Sequence, residues 1–331
     1  MFDPSLKLGP FDSDQILTTN PQRTLLFAVN PGSNTIAVFA IQADGTLRDV
    51  PGSPFPSGGS NPVSVGVAAD TLVVVNKALD PAQPKAVVPS YVTFHIEENG
   101  ALSRYPAFRV DSPVGSAPSQ ALISPDRRLV FGSDFLGGEL QSFVLEPEGR
   151  LLQNPPQSPA VAAFGTSTAP RLALGLAANP RRPVVYAGLV TISKIAVYAY
   201  DNQGHLRFVR AIPDSGAGVC WLRTNADGTR LYASNTGDAS ITVYDTSDAL
   251  QPVELQKFSL TGGGNGFQLE LDGTGIHLFA LTQRASASTP LGTGNNLHVL
   301  DIDSNGLLSQ SASVVPLPVS DGTRPQGLAT F

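Results

Sequence analysis

TIAVFAIQADGTL, residues 35–47, decides the fold, because the same phrase returns five more times along the chain. The copies are YVTFHIEENGAL (91–102), ELQSFVLEPEGRL (139–151), KIAVYAYDNQGHL (194–206), SITVYDTSDAL (240–250) and NLHVLDIDSNGLL (296–308). In each, a β-like run ends in an aromatic residue or Leu before a polar turn. Aligned on that turn, one column reads Phe39, Phe94, Phe143, Tyr198, Tyr244 and Leu300. Two residues on, a second column reads Ile41, Ile96, Leu145, Tyr200, Thr246 and Ile302. Gly45, Gly100, Gly149, Gly204 and Gly306 occupy the turns of all copies but the fifth. Strand chemistry repeated at about 50 residues predicts the blades of a β-propeller.

Each copy is preceded by a second pair of strands. ILTTNPQRTLLFAVN (16–30), ALISPDRRLVFGSD (121–134), LAANPRRPVVYAG (176–188), LRTNADGTRLYASN (222–235) and LELDGTGIHLFAL (269–281) each place a polar turn between two apolar runs. Asn, Asp, Pro and Gly in those turns are the residues that close hairpins. The alternation in TIAVF and KIAVY buries one face per strand. The aromatic and aliphatic columns are therefore read as core.

Six full units are present, with fragments at both ends. TRPQGLATF (323–331) reads as the first strand of a further copy, and SLKLGPF (5–11) as the last strand of another. Propeller rings are often closed by strands from both termini, which leaves no free sheet edge. The expectation is an all-β protein, a single propeller domain over 1–331. It has seven blades, one composite and incomplete; a six-bladed ring with trimmed ends is the alternative.

Composition agrees with short strands and turns: 32 Gly, 28 Pro, 41% hydrophobic and 15% charged residues. A net charge of −6 argues against nucleic acid or an anionic membrane as partner. No apolar run reaches the roughly 18–20 residues that a membrane helix needs. MFDPSLKLGP is not a signal peptide, although a removed one would leave no trace. Cytoplasmic and secreted locations both stay open, as does the oligomeric state. Cys220 is the single cysteine, so the chain forms no internal disulfide. Residues 77–89 and 283–295 lengthen two units between their second and third strands, and would emerge on one face of the ring. A third irregular stretch, 153–169, lies between units.

NPGSNTIAVFAIQADGTL (30–47), SPDRRLVFGSD (124–134) and NADGTRLYASNTGDASITVY (225–244) together resemble the seven-bladed lactonase family. That family includes propeller-type 6-phosphogluconolactonases and carboxymuconate-lactonising enzymes. The resemblance spans essentially the whole chain and implies a scaffold; fold does not by itself carry activity. It also implies a His, a Pro-Arg-His, an Asn-Glu and an Arg at set places. Here the first His place falls at Ser119. Pro170-Arg171-Leu172 matches the Pro-Arg in letters, while alignment on the following turn puts Gly175 at the second His place. The Asn-Glu place reads Leu189-Val190, and Asn235 is followed by Thr236 where the family has Arg.

Opening or closing a lactone needs a group that moves a proton and donors for a developing oxyanion. The polar residues expected on inner strands are Ser64, Ser119, Gln120, Cys220, Gln268 and Gln326, none a base near neutral pH unless the Cys220 thiol is depressed. Candidate catalytic residues are therefore Arg171, Gln120 and Cys220. Candidate ligand-binding residues are Ser64, Ser119, Trp221, Gln268 and Gln326, with Trp221 able to stack on a sugar. Arg171, Arg223, Arg284 and Arg324 are the possible cationic clamps for a phosphate.

The histidines at 95, 205, 277 and 298 lack zinc-ligand spacing, and no cofactor or metal is expected. Asn30, Asn76, Asp134 and Asn235 end second strands and are read as turn caps, with Ca²⁺ ligation the alternative. Two functions stay open. One is a lactonase or lactonising isomerase with a rearranged site. The other is a non-catalytic propeller that binds a small molecule, glycan or protein. A mostly neutral channel favours a neutral lactone- or sugar-type ligand.

Overall fold

The turns set the strands. In five of the six repeats the glycine of the quoted phrase adopts positive φ, from 78° at Gly204 to 84° at Gly149. Each of these glycines donates its N–H to the carbonyl three residues back, as Gly45 does to Gln42 at 2.9 Å and Gly306 to Asp303 at 2.9 Å. Only a residue without Cβ takes that conformation without strain. The upstream turns are closed by side chains instead. Asn20 Oδ1 accepts the amides of Thr24 (2.8 Å) and Leu25 (2.9 Å), Asn225 Oδ1 that of Arg230 (2.9 Å), and Ser124 Oγ that of Leu129 (2.9 Å).

A computed structural model describes residues 15–78, 88–159, 161–164, 167–284, 289–320 and 324–331. Its strands form six antiparallel sheets, each built from four consecutive strands in sequence order. Blade 1 comprises Leu17–Thr19, Leu25–Asn30, Thr35–Ile41 and Leu47–Asp49. Blade 2 comprises Pro62–Ala68, Thr71–Asn76, Ser90–Ile96 and Leu102–Asp111. Blade 3 comprises Leu122–Ile123, Leu129–Asp134, Glu139–Leu145 and Leu151–Gln153. Blade 4 comprises Ala173–Ala178, Val184–Leu189, Lys194–Tyr200 and Leu206–Pro213. Blade 5 comprises Val219–Thr224, Arg230–Asn235, Ser240–Asp245 and Val253–Ser259. Blade 6 comprises Asn265–Leu271, His277–Gln283, Asn296–Ile302 and Leu308–Ser309. Short strands Phe55–Pro56 and Val315–Pro316 add to the third strands of blades 1 and 6. The stretch expected to be irregular, 153–169, contains one helical turn, Val161–Phe164. Among the described residues no helix is long and apolar enough to cross a membrane.

Five apolar layers join the blades in succession, 1 to 2, 2 to 3, and on to 5 to 6. The aromatic column fills them. Phe94, Phe143, Tyr198, Tyr244 and Leu300 are all buried, each in the layer between its own blade and the preceding one. Phe39 is the exception. It belongs to blade 1, and it is only half-buried. Among the described residues no apolar layer joins blade 6 to blade 1.

In that place lies the segment 324–331. Gly327 N donates to Gln268 Oε1 of blade 6 at 2.6 Å, and Thr330 Oγ1 to Leu271 O at 2.8 Å. Gln283 Nε2 donates to Pro325 O at 2.5 Å. On its other side Gly327 touches blade 1, where a Cβ would fall 2.6 Å from Leu17 Cγ. Residues 324–331 of TRPQGLATF thus occupy the position of a seventh inner strand, as the sequence suggests, but do not pair as a strand. Among the described residues the complete blades number six. SLKLGPF, the other proposed contributor, lies outside the described residues.

Two outcomes follow. Gly327 combines φ of +85° with contact on Leu17, so Gly327→Ala is expected to lower unfolding free energy by about 1–3 kcal/mol. Urea denaturation of wild type and variant at equal stability would show that the segment is not wedged between blades 6 and 1. His298, fully buried in blade 6, has its pKa pushed below the usual imidazole value by burial. A depressed folded pKa means the unfolded chain binds the proton first. Stability is therefore fully present above the unfolded pKa and is lost as pH falls through it. Chemical denaturation between pH 7.5 and 5 should show this loss, and His298→Gln should reduce it; identical pH slopes would remove the assignment.

Candidate functional site

Inner strands run from one face of the ring to the other, so each offers two ends. At the ends where they begin, short side chains and amides knit neighbouring blades together. Ser64 Oγ accepts Ala121 N of blade 3 at 3.1 Å, and Ser119 Oγ donates to Ala117 O at 2.9 Å. Gln120 uses its whole amide. Its Oε1 accepts Leu176 N at 2.6 Å, and its Nε2 donates to Leu176 O (3.2 Å) and to Gln15 Oε1 (2.8 Å). Gln15 comes from blade 1 and Leu176 from blade 4, so this chain of amides crosses the axis. Gln268 holds Gly327 as described, and Gln326 sends a buried Nε2 that has no hydrogen-bond partner.

Beside this polar bridge the axis is apolar. Trp221 and Phe267 meet at 4.1 Å between ring centroids, tilted by 60°, and pack with Leu174, Cys220 and Leu281. Partly buried Phe135, Val190 and Leu328 close around them. Trp221 is 1% exposed and presents no face for stacking. The Cys220 thiol donates to Gly218 O at 3.1 Å and accepts from Thr236 Oγ1 at 3.1 Å. Arg171 stands apart, its guanidinium 5.3 Å from the Phe164 ring centroid. On the same face the buried Lys77 ammonium lies 5.7 Å from the Phe135 ring centroid. Burial pulls its pKa down to about 7, against the pull of the Asp134 carboxylate.

The strand-ending residues fasten loops. Asn76 Oδ1 accepts Ser57 Oγ (2.8 Å), and Asp134 Oδ1 accepts Ala117 N (2.8 Å) and Gly137 N (3.0 Å). Asn30 Nδ2 donates to Thr35 Oγ1 (3.1 Å), and Asn235 Nδ2 to Thr242 Oγ1 (2.8 Å). Among the described residues no group of three His, Cys, Asp or Glu could hold a metal ion.

The other end of the axis is open. A cavity of about 570 Å³ lies where the inner strands of blades 1, 3, 4, 5 and 6 and the segment 324–331 approach their turns. Its aliphatic wall includes Leu17, Leu122, Leu176, Leu222 and Leu271; its hydroxyls include Thr18, Thr224 and Thr330. Gln15, the end of the amide bridge, belongs to the lining too. Four charged residues line it: Arg23, Arg223, Glu270 and Asp272. Arg223 Nε donates to Glu270 Oε2 at 3.0 Å, an ion pair between equivalent places of adjacent inner strands. Burial opposes ionisation of Asp272, but the Thr274 hydroxyl and the amides of its turn hold its pKa down, to about 2. That carboxylate is a turn cap first.

None of the eight residues named from sequence as catalytic or ligand-binding lines this cavity. The structure draws Ser64 and Gln120 into contacts between blades and Gln268 onto the segment 324–331, ties Ser119 within its own blade, leaves Gln326 Nε2 buried, and places Cys220 and Trp221 in the axial apolar cluster. Of the cationic candidates only Arg223 reaches the cavity. Gln15, Arg23 and Glu270 were not singled out. A two-residue step along the inner strands adds Glu270 to Arg223, which was already a candidate cation. Trp221 leads to Arg223 and Gln268 to Glu270, each two residues before a turn residue, Asn225 and Asp272.

A model of the family described as lactonase, 7-bladed beta-propeller, matches residues 155–326. No curated protein matches the chain. Among solved structures, a protein from Bacteroides uniformis assigned as a 6-phosphogluconolactonase is 16% identical with a TM-score of 0.73, over 92% of this chain and 86% of that one. A Lactobacillus plantarum protein is 19% identical with a TM-score of 0.71, over 95% and 86%. The periplasmic gluconolactonase PpgL of Pseudomonas aeruginosa is 18% identical with a TM-score of 0.69, over 91% and 85%. Identities this low speak for the fold alone. The family match, which spans more than half of the chain and agrees with the blade phrase, shows that the chain belongs to the seven-bladed β-propeller lactonase family.

Proposed function

We propose that this lactonase-family propeller binds a small, polyhydroxylated lactone- or sugar-type ligand, without a phosphate, in the axial cavity at the turn face. The observation that carries this reading is the cavity itself. About 570 Å³ fits a single sugar-sized molecule, and aliphatic walls with a few placed hydroxyls and amides suit one. Two guanidinium and two carboxylate groups leave the lining without net charge. The Arg223–Glu270 pair further occupies one of the two guanidiniums, which leaves a single cation for an anion. A phosphate dianion needs several convergent cations, so an unphosphorylated ligand is favoured.

Binding is better supported than turnover. The places where the family carries its His, Glu and Arg hold Ser119, Gly175, Leu189, Val190 and Thr236. Cys220 is buried, and its thiol is engaged on both sides. In the cavity Glu270 is the one carboxylate not committed to a turn, and it is already ion-paired.

Isothermal titration with freshly dissolved glucono-1,5-lactone, glucitol and glucose 6-phosphate tests this reading. The lactone and glucitol are expected to bind, and glucose 6-phosphate to gain less than about tenfold over them. Ala178→Phe, which fills the cavity, should abolish the signal. A larger preference for the phosphorylated sugar would overturn the ligand class. In a pH-stat, acid release matching heat-treated protein is expected, and catalysed release would replace the binding reading with an enzymatic one.

A further inference from the structure

Arg23 is the one guanidinium of the axial cavity without an ion pair among the described residues. It sits on the hairpin turn of blade 1 with φ of +56°. That conformation is fixed locally: Arg23 N donates to Asn20 O at 2.9 Å, and Asn20 Oδ1 takes the next two amides. From there the side chain crosses to blade 6 and lies against Gly273, where a Cβ would fall 2.4 Å from Nη1. Gly273 has no positive φ, so a larger residue there would fit its own backbone and act by displacing the flexible guanidinium. The charge is thus carried on a pinned turn at the rim of the cavity, opposite its amide floor at Gln15. Arg223 offers no comparable donor, because Glu270 and the Leu222 carbonyl already hold it.

We infer that Arg23 is a specificity-determining residue that receives a carboxylate at the cavity mouth. The ligand is then an open-chain polyhydroxy acid, with its hydroxyls inward among Thr18, Thr224 and Thr330. This rests on the reading of the axial cavity as a sugar-type site and narrows it. Opening a lactone ring leaves a hydroxyl and a carboxylate. The cavity body suits the closed and open forms alike, while the rim distinguishes them by charge. A guanidinium can meet a carboxylate with two parallel N–H donors, which adds direction to the charge attraction. Exposure limits the size of the effect, as for any solvent-facing ion pair.

The test is titration with gluconate and with glucitol, which share a six-carbon polyhydroxy chain and differ in the carboxylate. Wild type should hold gluconate about two- to fivefold more tightly than glucitol in low salt, and the preference should shrink as NaCl is raised. Arg23→Gln should remove the preference, and Arg23→Lys should keep part of it; circular dichroism and the melting temperature confirm that both variants fold. Gly273→Leu, which displaces the guanidinium without removing it, should reduce the preference as well. An unchanged gluconate-to-glucitol ratio in Arg23→Gln would overturn the assignment of Arg23 and leave the cavity reading intact. Failure of both probes to bind wild type would instead overturn the cavity reading, and this inference with it.

Discussion

Burial of the aromatic column by the preceding blade is the constraint on which the rest of the molecule depends. A single sheet of this chain cannot bury both of its faces. Phe94, Phe143, Tyr198, Tyr244 and Leu300 lose their exposure only because a neighbouring sheet covers them. Full burial of such a side chain contributes roughly 1.5–3 kcal/mol, so each interface adds stability that neither blade has alone. Phe39 marks where the series begins, half-buried where no complete blade precedes it among the described residues. The segment 324–331 supplies the inner layer there, held by the Gln268 and Gln283 amides rather than by a strand ladder.

That packing decides what the axis can contain. Blades 4, 5 and 6 contribute Leu174, Trp221 and Phe267 to one end, and these residues cover one another. Gln120 and Gln15 span the middle, with the Gln120 amide fully used. A cavity lies at the opposite end, under the hairpin turns, where Arg223 and Glu270 neutralise each other. The chain thus keeps the family scaffold while placing its cavity away from the residues that align with the family's catalytic places. Ser119 and Thr236 bond to neighbours at the packed end, and Arg171 rests on Phe164.

The sequence by itself determined the elements and their order. A turn glycine at positive φ, or an Asn or Asp that caps its own turn, works through local geometry and needs no distant partner, which is why Gly45, Gly149, Asn20 and Asn225 were readable as punctuation. The aromatic column was readable for a related reason, since every repeat meets the same neighbour in the same register. Tertiary structure alone decided which polar residues line the axial cavity. Gln120, Gln268 and Ser64 have the chemistry of a binding site, but adjacent inner strands approach closely enough for their amides and hydroxyls to be spent on each other. Arg223 and Glu270 lie 47 residues apart in sequence, and their pairing exists because successive repeats stand side by side. Arg23 and Gly273 come from opposite ends of the chain and meet only where the ring returns on itself.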